Sequence, residues 1–385
     1  MTPLLSDDLL ARIHARAAGY DRDNVFFTED LAELAGAGYL RALVPIELGG
    51  LGLSLTELAH EQSRLAAAAP ATALGINMHL VWTGVAKTLH DRGDHSLDVV
   101  LTEAAAGEIF AFAISEPGND LMLFGSTTDA RPLDDGGYAM TGTKIFTSLS
   151  PVWTRLGLFG LDSTSADAPK LVHGFVTRDA AGTDGPGITV IEDWDTIGMR
   201  ASQSNSTRLD GAVVAADRVV SRLDPGPSTD PLIFAIFANF EILIAAVYAG
   251  IGARALELAV SSVRGRTSAR TGTTKDKDPN VRWKLAEAAI QLDAIWPQLD
   301  ALAGDIDDLV DRGSQWFRAL VGIKSRSTRA AKFVVEQAIA VAGGAAFANS
   351  SELGRLYRDV LAGGFHPSNE DSAHSTVATA LLGPE

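Results

Sequence analysis

Two titratable side chains stand where a protein could use them for proton transfer. His366 follows the segment RLYRDVLAGGF and precedes Pro367, so it is predicted to lie in a loop after a helix end. Glu241 interrupts the apolar segment FANFEILIAAVYAG, where burial would raise the pKa of its carboxyl and suit it to a general base. The structural alternatives are a histidine bonded to backbone and a glutamate paired with an arginine of a neighbouring helix.

Two short segments combine apolar or aromatic side chains with hydroxyls. AFAIS covers residues 111–115 and KIFTS covers residues 144–148. Side chains of these types suit a planar ring with a polar edge, whereas core packing and locally bonded hydroxyls are the ordinary alternatives. The candidate residues are Phe112, Ile114, Ser115, Phe146, Thr147 and Ser148.

Groups suited to phosphate binding occur later in the chain. Arg266 lies in RGRTSARTG and could make a bidentate phosphate contact, although a solvated arginine at a helix end is the simpler interpretation. Gly343-Gly344 would let the backbone approach a ligand closely, and the pair also fits a helix C-cap.

Composition excludes several function classes. The 385 residues carry a net charge of −16, with Lys and Arg scattered, so no basic face for nucleic acid is predicted. The absence of cysteine rules out disulfides and thiolate chemistry. No metal site is predicted, because His366 and His374 have no third ligand at a suitable spacing. Asp7 and Asp8 stand where a signal peptide needs positive charge, so a cytoplasmic location without membrane association is expected.

The spacing of apolar residues along the chain changes twice. Residues 1–107 show helical spacing, with a break at Pro70. Residues 108–224 contain short alternating runs separated by turn residues, which indicates an all-β block. Residues 225–385 return to long helical patterns, including one that spans Pro297, where a kink is predicted. The predicted fold class is therefore α+β multidomain, with helical, β and helical domains in that order.

Five motifs within this order resemble the acyl-CoA dehydrogenase superfamily over essentially the whole chain. They are AFAISEPGND, GYAMTGTKIFTS, DTIGMRASQSNSTRLDGAVVAADRVV, RGRTSARTG, and AVAGGAA followed by RLYRDV. The resemblance implies an N-terminal helical domain, a middle β-barrel or sandwich, and a C-terminal four-helix bundle. It also implies a flavin between the domains, expected to be FAD with FMN as the alternative, and a homotetramer or homodimer.

The resemblance assigns roles to the candidate residues. Ser115 and the main chain around Phe112 and Ile114 would meet the pyrimidine end of the flavin, Phe146 would lie against the ring, and Ser148 would approach the ring nitrogen that receives hydride. Arg266 would reach the pyrophosphate of a flavin in a neighbouring subunit. The other cofactor contacts that the resemblance implies are Thr147, Gly343, Gly344 and Asn369.

The chain departs from the family pattern at two chemically important places. The usual catalytic glutamate of the closing loop falls on Pro367, which cannot take up a proton, and the residue before it is His366. Members that bind coenzyme A typically read EPGAGSD, whereas this chain reads EPGND. An acyl-CoA substrate is therefore a family default and not a deduction from the residues.

Three functions follow as hypotheses. The leading one is α,β-dehydrogenation of an acyl thioester with FAD as hydride acceptor and Glu241 as base, with an electron-transfer flavoprotein as partner. The alternative is a two-component monooxygenase or N-oxygenase that receives reduced flavin from a reductase, with His366 near the flavin. The third is a non-catalytic partner subunit. The first two predict a small-molecule substrate.

Overall fold

The computed structural model describes residues 3–178, 185–269 and 272–383. The N-terminal part is helical, and Pro70 separates two of its helices as predicted, because proline fits the first turn of a helix but not its interior. The helix that begins at Thr28 stops at Gly36, and Gly38 then adopts a φ of +79°. The helices are α1 Asp7–Asp23, α2 Thr28–Gly36, α3 Leu55–Ala68, α4 Pro70–Asp91 and α5 Asp98–Ala105.

The middle part forms one mixed sheet. Its strands are β1 Phe110–Ala113, β2 Asp129–Pro132, β3 Tyr138–Lys144, β4 Arg155–Asp162, β5 Lys170–Thr177, β6 Ile188–Ile191, β7 Ser206–Val214 and β8 Val219–Leu223. The strand order is β6-β7-β3-β2-β4-β5-β8, and β1 pairs in parallel with β4. The segments AFAIS and KIFTS thus fall at the ends of β1 and β3, where each strand gives way to a loop.

The C-terminal part is helical again. Its helices are α6 Pro231–Val263, α7 Pro279–Asp293, α8 Trp296–Asp307, α9 Gln315–Ala342, α10 Glu352–Val360 and α11 Glu370–Leu382. The predicted kink at Pro297 is a full break, because α7 ends at Asp293 and Pro297 lies in the first turn of α8. Gly343 ends α9 with a φ of +73°, as expected for a C-cap glycine. The helix–sheet–helix architecture predicted from the sequence is confirmed.

Two helical segments, Pro231–Val263 and Gln315–Phe347, are long and apolar enough to cross a membrane by length and composition alone. The most apolar window of the first is 94% buried within the protein, and that of the second 39%. Burial against α3, α4 and α9 accounts for the apolar character of α6, which forms the centre of the core.

The helical and β parts meet at a tight joint around Trp82 of α4. Its indole Nε1 donates a 2.9 Å hydrogen bond to the carbonyl of Ala111 in β1. A Cβ on Gly157 of β4 would lie 2.2 Å from the indole ring, so only glycine lets the ring approach this strand. Phe112 continues the joint and stacks on Phe240 of α6 at 5.8 Å between ring centroids.

Candidate functional site

A cavity of about 440 Å³ lies where α4, β1, α6 and the loop after α10 converge. Most of its lining is apolar: Leu74 and Met78 come from α4, and Phe240 comes from α6. Its polar groups stand mainly on two opposing surfaces. We call residues 112–115, 146–148, 194–199 and 204 the sheet wall, and residues 361–368 the closing loop.

The sheet wall offers open aromatic surface to the cavity. Phe146, at a φ of +58°, is 52% exposed and meets Trp194 edge-on, with 6.1 Å between ring centroids. Half-exposed rings beside a cavity suit stacking against a planar ligand. This aromatic surface and the apolar lining therefore fit the ring of a flavin.

A chain of hydroxyls runs from this wall into the protein. Ser148 and Ser204 both line the cavity, and their Oγ atoms lie 2.8 Å apart. Ser204 Oγ lies 2.7 Å from Ser202 Oγ, which donates to the carbonyl of Met199 at 2.8 Å. Because the last hydroxyl donates inward, each of the other two can donate to the next and leave the Ser148 oxygen able to accept at the cavity.

A buried ion pair supports the sheet wall from behind. Lys144 Nζ lies 2.5 Å from Glu116 Oε1, and both side chains are fully buried. Glu116 also accepts hydrogen bonds from Asn119, Ser126, Thr127 and Thr128. Although burial alone would raise the pKa of Glu116, the Lys144 charge and these bonds lower that pKa to about 2. The carboxylate is therefore ionised at every physiological pH.

His366 brings an imidazole from the closing loop to the cavity. Its Nε2 lies 2.9 Å from the hydroxyl of Tyr248 on α6. Burial, aided by the charge of Lys324, lowers the pKa of His366 to about 3. The ring is therefore neutral at physiological pH and can hold a hydrogen bond in an apolar cavity without carrying charge.

A second buried pair of charged residues holds the closing loop. Lys324 of α9 donates to the carbonyls of Gly363, His366 and Ser368 at 3.1, 3.0 and 2.7 Å. Glu241 of α6 accepts a 2.8 Å bond from Ser368 Oγ through Oε1, whereas its Oε2 is buried without a partner among the described residues. Burial raises the pKa of Glu241 and lowers the pKa of Lys324.

The structure gathers part of the predicted site. Phe112, Ile114, Ser115, Phe146, Ser148 and His366 all line the cavity. Thr147 belongs to the sheet wall but is fully buried and does not line the cavity. Glu241 lies beneath the closing loop and not on the cavity surface.

The remaining predicted cofactor residues lie elsewhere. Arg266 Nη1 is 3.4 Å from the carbonyl of Ala342, which places it beside Gly343 and Gly344. Asn369 caps α11 by accepting from the backbone N–H of Ser372. None of these four residues lines the cavity in the described part of the chain. Arg270 and Thr271 of the same motif lie outside the described residues.

Sequence reasoning missed Lys324, Tyr248, Trp194 and Ser204. A signal for Lys324 existed, because Leu320 and Thr328 lie four residues to either side and all three are buried on one face of α9. A lysine in a buried helical register requires oxygen partners.

Comparison with known proteins identifies the family. The family model described as acyl-CoA dehydrogenase, C-terminal domain matches residues 242–370. L-evernosamine nitrososynthase of Micromonospora sp. is 30% identical, and the match covers 93% of this chain and 85% of that relative. The chain belongs to the acyl-CoA dehydrogenase superfamily. The resemblance stated from the five motifs is confirmed.

Two further relatives carry information on chemistry. Dibenzothiophene monooxygenase of Rhodococcus qingshengii is 27% identical over 93% of this chain and 88% of its own length. The structure of KijD3 in complex with FMN and dTDP-3-amino-2,3,6-trideoxy-4-keto-3-methyl-D-glucose matches with a TM-score of 0.83 and 28% identity, covering 99% of this chain and 93% of that one. The sequence prediction of a flavin, with FMN as an alternative, agrees with this last complex.

Proposed function

We propose that this member of the superfamily is a two-component flavin-dependent monooxygenase that transfers an oxygen atom to a nucleophilic nitrogen or sulfur of a small, largely apolar substrate. The observation that carries the proposal is the side chain at the cavity: the imidazole of His366 stands there, whereas Glu241 is turned into the protein toward Ser368. The relatives that act as a nitrososynthase and a monooxygenase support the same choice. The proposal replaces α,β-dehydrogenation as the leading hypothesis.

The cofactor that fits the cavity is FMN. Phe146 and Trp194 would face its ring, and Ser148 would supply an acceptor at its edge. When bound in reduced form, FMN supplies the two electrons that let one atom of O2 pass to the substrate and the other leave as water. A separate flavin reductase is the partner that provides these electrons.

The residues of the chain then have definite roles. The neutral His366 is held through Nε2 by the buried Tyr248, which leaves Nδ1 as the ring nitrogen available to a ligand, and it adds no charge that would attract water. Phe112, Phe240 and Phe146 exclude solvent from the place where the oxygen atom is transferred. Ser148 can accept a hydrogen bond from the ligand and so hold a proton at the cavity, because its own hydroxyl donates along the chain.

The lining also restricts the substrate. A neighbouring open cleft of about 750 Å³ shares Trp194 and Asp195 with the cavity and adds Glu192 and Asp193. Among the described residues, these three carboxylates outnumber the guanidinium of Arg178 in the lining of the cleft, so its excess negative charge would repel the diphosphate of a nucleotide sugar such as the one in the KijD3 complex. Because the cavity itself is small and apolar, we infer that the substrate is a small amine or sulfide without a nucleotide.

One experiment separates oxygenation from dehydrogenation. The protein is supplied with FMN, NADH, a flavin reductase and O2, together with a panel of small aromatic and aliphatic amines and sulfides, and products are detected by the added oxygen mass. In parallel, the flavin-loaded protein is mixed anaerobically with acyl-CoAs, and flavin absorbance is recorded. We expect oxygenated products from the first assay and unchanged flavin in the second.

Matched variants assign the chemistry to a residue. His366→Asn should lower the rate of product formation by about 10²-fold with flavin binding retained, because loss of a proton-handling group has an effect of that order. Glu241→Gln should leave the rate within about one order of magnitude of the wild type, since this carboxyl does not reach the cavity. Anaerobic bleaching of the flavin by an acyl-CoA, abolished by Glu241→Gln, would refute the proposal.

A further inference from the structure

Three side chains with metal-binding atoms meet at the corner between α4 and α5, far along α4 from the cavity residues Leu74 and Met78. His90 lies in the last turn of α4, Asp98 is the first residue of α5, and His95 lies between them. The order of these ligands in the sequence is HDRGDHSLD. The sequence prediction of no metal site had considered only the pair His366 and His374.

The distances within this cluster match the spacing of ligands around one ion. His90 Nδ1 lies 2.8 Å from Asp98 Oδ1, His95 Nδ1 lies 3.1 Å from Asp98 Oδ2, and the two Nδ1 atoms are 3.2 Å apart. Donors held at about 2.0–2.1 Å from Zn²⁺ are separated by about 2.9–3.4 Å in octahedral to tetrahedral geometry. The two imidazoles face different oxygens of Asp98, so its carboxylate would bind the ion through both; the three separations lie in or within a tenth of an ångström of that interval.

Protons satisfy the cluster only when both Nδ1 atoms carry one. Each imidazole directs the same ring nitrogen, Nδ1, at the other imidazole and at the carboxylate. Two protonated Nδ1 atoms can donate to separate oxygens of Asp98, but this arrangement holds the two nitrogens 3.2 Å apart; if one lacked its proton, its lone pair would face the carboxylate. A cation accepts all of these lone pairs at once.

The residues around the His90–His95–Asp98 cluster also resemble those around a metal site. The other ring nitrogen of His90 faces Glu47 Oε1 at 3.9 Å, so a carboxylate stands behind a candidate ligand, as it often does around zinc. His90 and Asp98 are mostly buried, with side chains 19% and 29% exposed, whereas His95 is 61% exposed. An ion could therefore enter from the solvent side and find two pre-positioned ligands.

We propose that His90, His95 and Asp98 form a binding site for a divalent transition metal of the Zn²⁺ type. The ion fastens the end of α4 to the start of α5 and takes no part in the flavin chemistry. Two imidazoles and one carboxylate favour Zn²⁺, Ni²⁺ or Cu²⁺ over Mg²⁺ and Ca²⁺, which prefer oxygen ligands.

The test uses the full chain, free of any histidine tag and stripped of metal with a chelator. Zn²⁺ is titrated by calorimetry, and Co²⁺ is added separately to record its visible absorption, which is intense for low-coordinate sites. We expect one Zn²⁺ per chain and no measurable binding of Mg²⁺. His95→Ala, which removes a mostly exposed ligand, should weaken Zn²⁺ binding by at least about tenfold.

His60→Ala is the matched control. His60 Nε2 also bonds a carboxylate, Asp300 Oδ1 at 2.9 Å, and the pair is not part of any three-ligand group among the described residues. This variant should bind Zn²⁺ as the wild type does. Zn²⁺ binding that survives in His95→Ala and in a His90→Gln/His95→Ala double variant, or no binding to the wild type at micromolar Zn²⁺, would overturn the proposal.

Discussion

Two buried lysine–glutamate pairs support the two sides of the cavity, and they differ in how well their carboxylates are satisfied. Behind the sheet wall, Glu116 accepts from Lys144 and from a ring of hydroxyl, amide and backbone donors. Beneath the closing loop, Glu241 accepts a hydrogen bond from Ser368. Lys324 donates its hydrogen bonds to three loop carbonyls and none to Glu241. A low pKa at Glu116 and a raised pKa at Glu241 follow from this difference.

The comparison shows that a buried carboxyl is not by itself evidence for a catalytic base. Glu241 has the raised pKa that a base would need, yet its bonded oxygen, Oε1, accepts from Ser368 of the loop that carries His366. Glu116 is a structural anchor with a permanent charge. We therefore regard Lys324 and Glu241 as positioning residues for His366.

The largest effect is expected from Lys144→Met. This change leaves the Glu116 carboxylate buried, ionised and without its cation, which should lower the free energy of unfolding by about 3–5 kcal/mol. Urea denaturation measures the loss, with Lys170→Met on the exposed Lys170–Asp224 pair as control. A loss below about 1 kcal/mol would mean that the pair is not the anchor described here.

Lys324→Met should lower the free energy of unfolding less than Lys144→Met does, and it should lower the yield of oxygenated product more. Three loop carbonyls lose their donor, but Glu241 can take up a proton, so we expect a loss of about 2 kcal/mol. His366 should lose its fixed position, so that a larger share of the O2 consumed yields hydrogen peroxide instead of product. Adding Glu241→Gln should recover part of the stability without recovering the yield, and recovery of both would argue against a positioning role.

The two glutamates should respond to pH in opposite ways. Glu241 has a raised pKa in the folded state, so the folded protein binds more protons than the unfolded chain and its contribution to stability falls as pH rises above about 4.5. The stability of Glu241→Gln relative to the wild type should therefore increase by about 1 kcal/mol or more between pH 5 and pH 8.

Glu116 is the control for this titration. With its folded pKa lowered to about 2, its contribution is complete above the unfolded value of about 4.5 and is lost only as pH falls toward 2. Glu116→Gln should therefore show a constant difference from the wild type between pH 5 and pH 8. Parallel curves for both variants would contradict the assignment of opposite environments.

Ser204→Ala should have the smallest effect. It removes the middle of the hydroxyl chain and leaves Ser148 and Ser202 without that partner, at a cost of about 1 kcal/mol. If the chain handles a proton, product yield per O2 should fall by about fivefold while flavin affinity stays constant. An unchanged yield would restrict these serines to a structural role.

The sheet wall could be predicted from the sequence better than the closing loop, for a physical reason. Glu116 and Lys144 both lie inside motifs read directly from the sequence, 28 positions apart, where β1 and β3 end. The order of helical and sheet domains and the break at Pro70 are likewise local properties. Six of the site residues predicted from the sequence, including Phe146 and His366, line the same cavity, and their role in binding stays a prediction.

The closing loop depends on partners that are remote in the chain. Lys324 and Glu241 are 83 positions apart in the sequence, and neither lies near His366 until α6 and α9 pack together. The helical spacing around Lys324 and Glu241 indicates that both side chains are buried, but it does not indicate which residues they contact. The His90–His95–Asp98 cluster was overlooked because only the chain reversal between α4 and α5 makes its ring nitrogens converge.

The joint at Trp82 has a consequence for how ligands enter and leave. The indole packs against Gly157 and donates a hydrogen bond to Ala111, so it holds the helical part and the sheet together at this joint. Phe365 of the closing loop lines the cavity and is 76% exposed, so this loop is the part of the cavity lining that reaches the solvent without that joint. We therefore expect ligands to pass when the closing loop moves, and the rate of this movement to limit turnover.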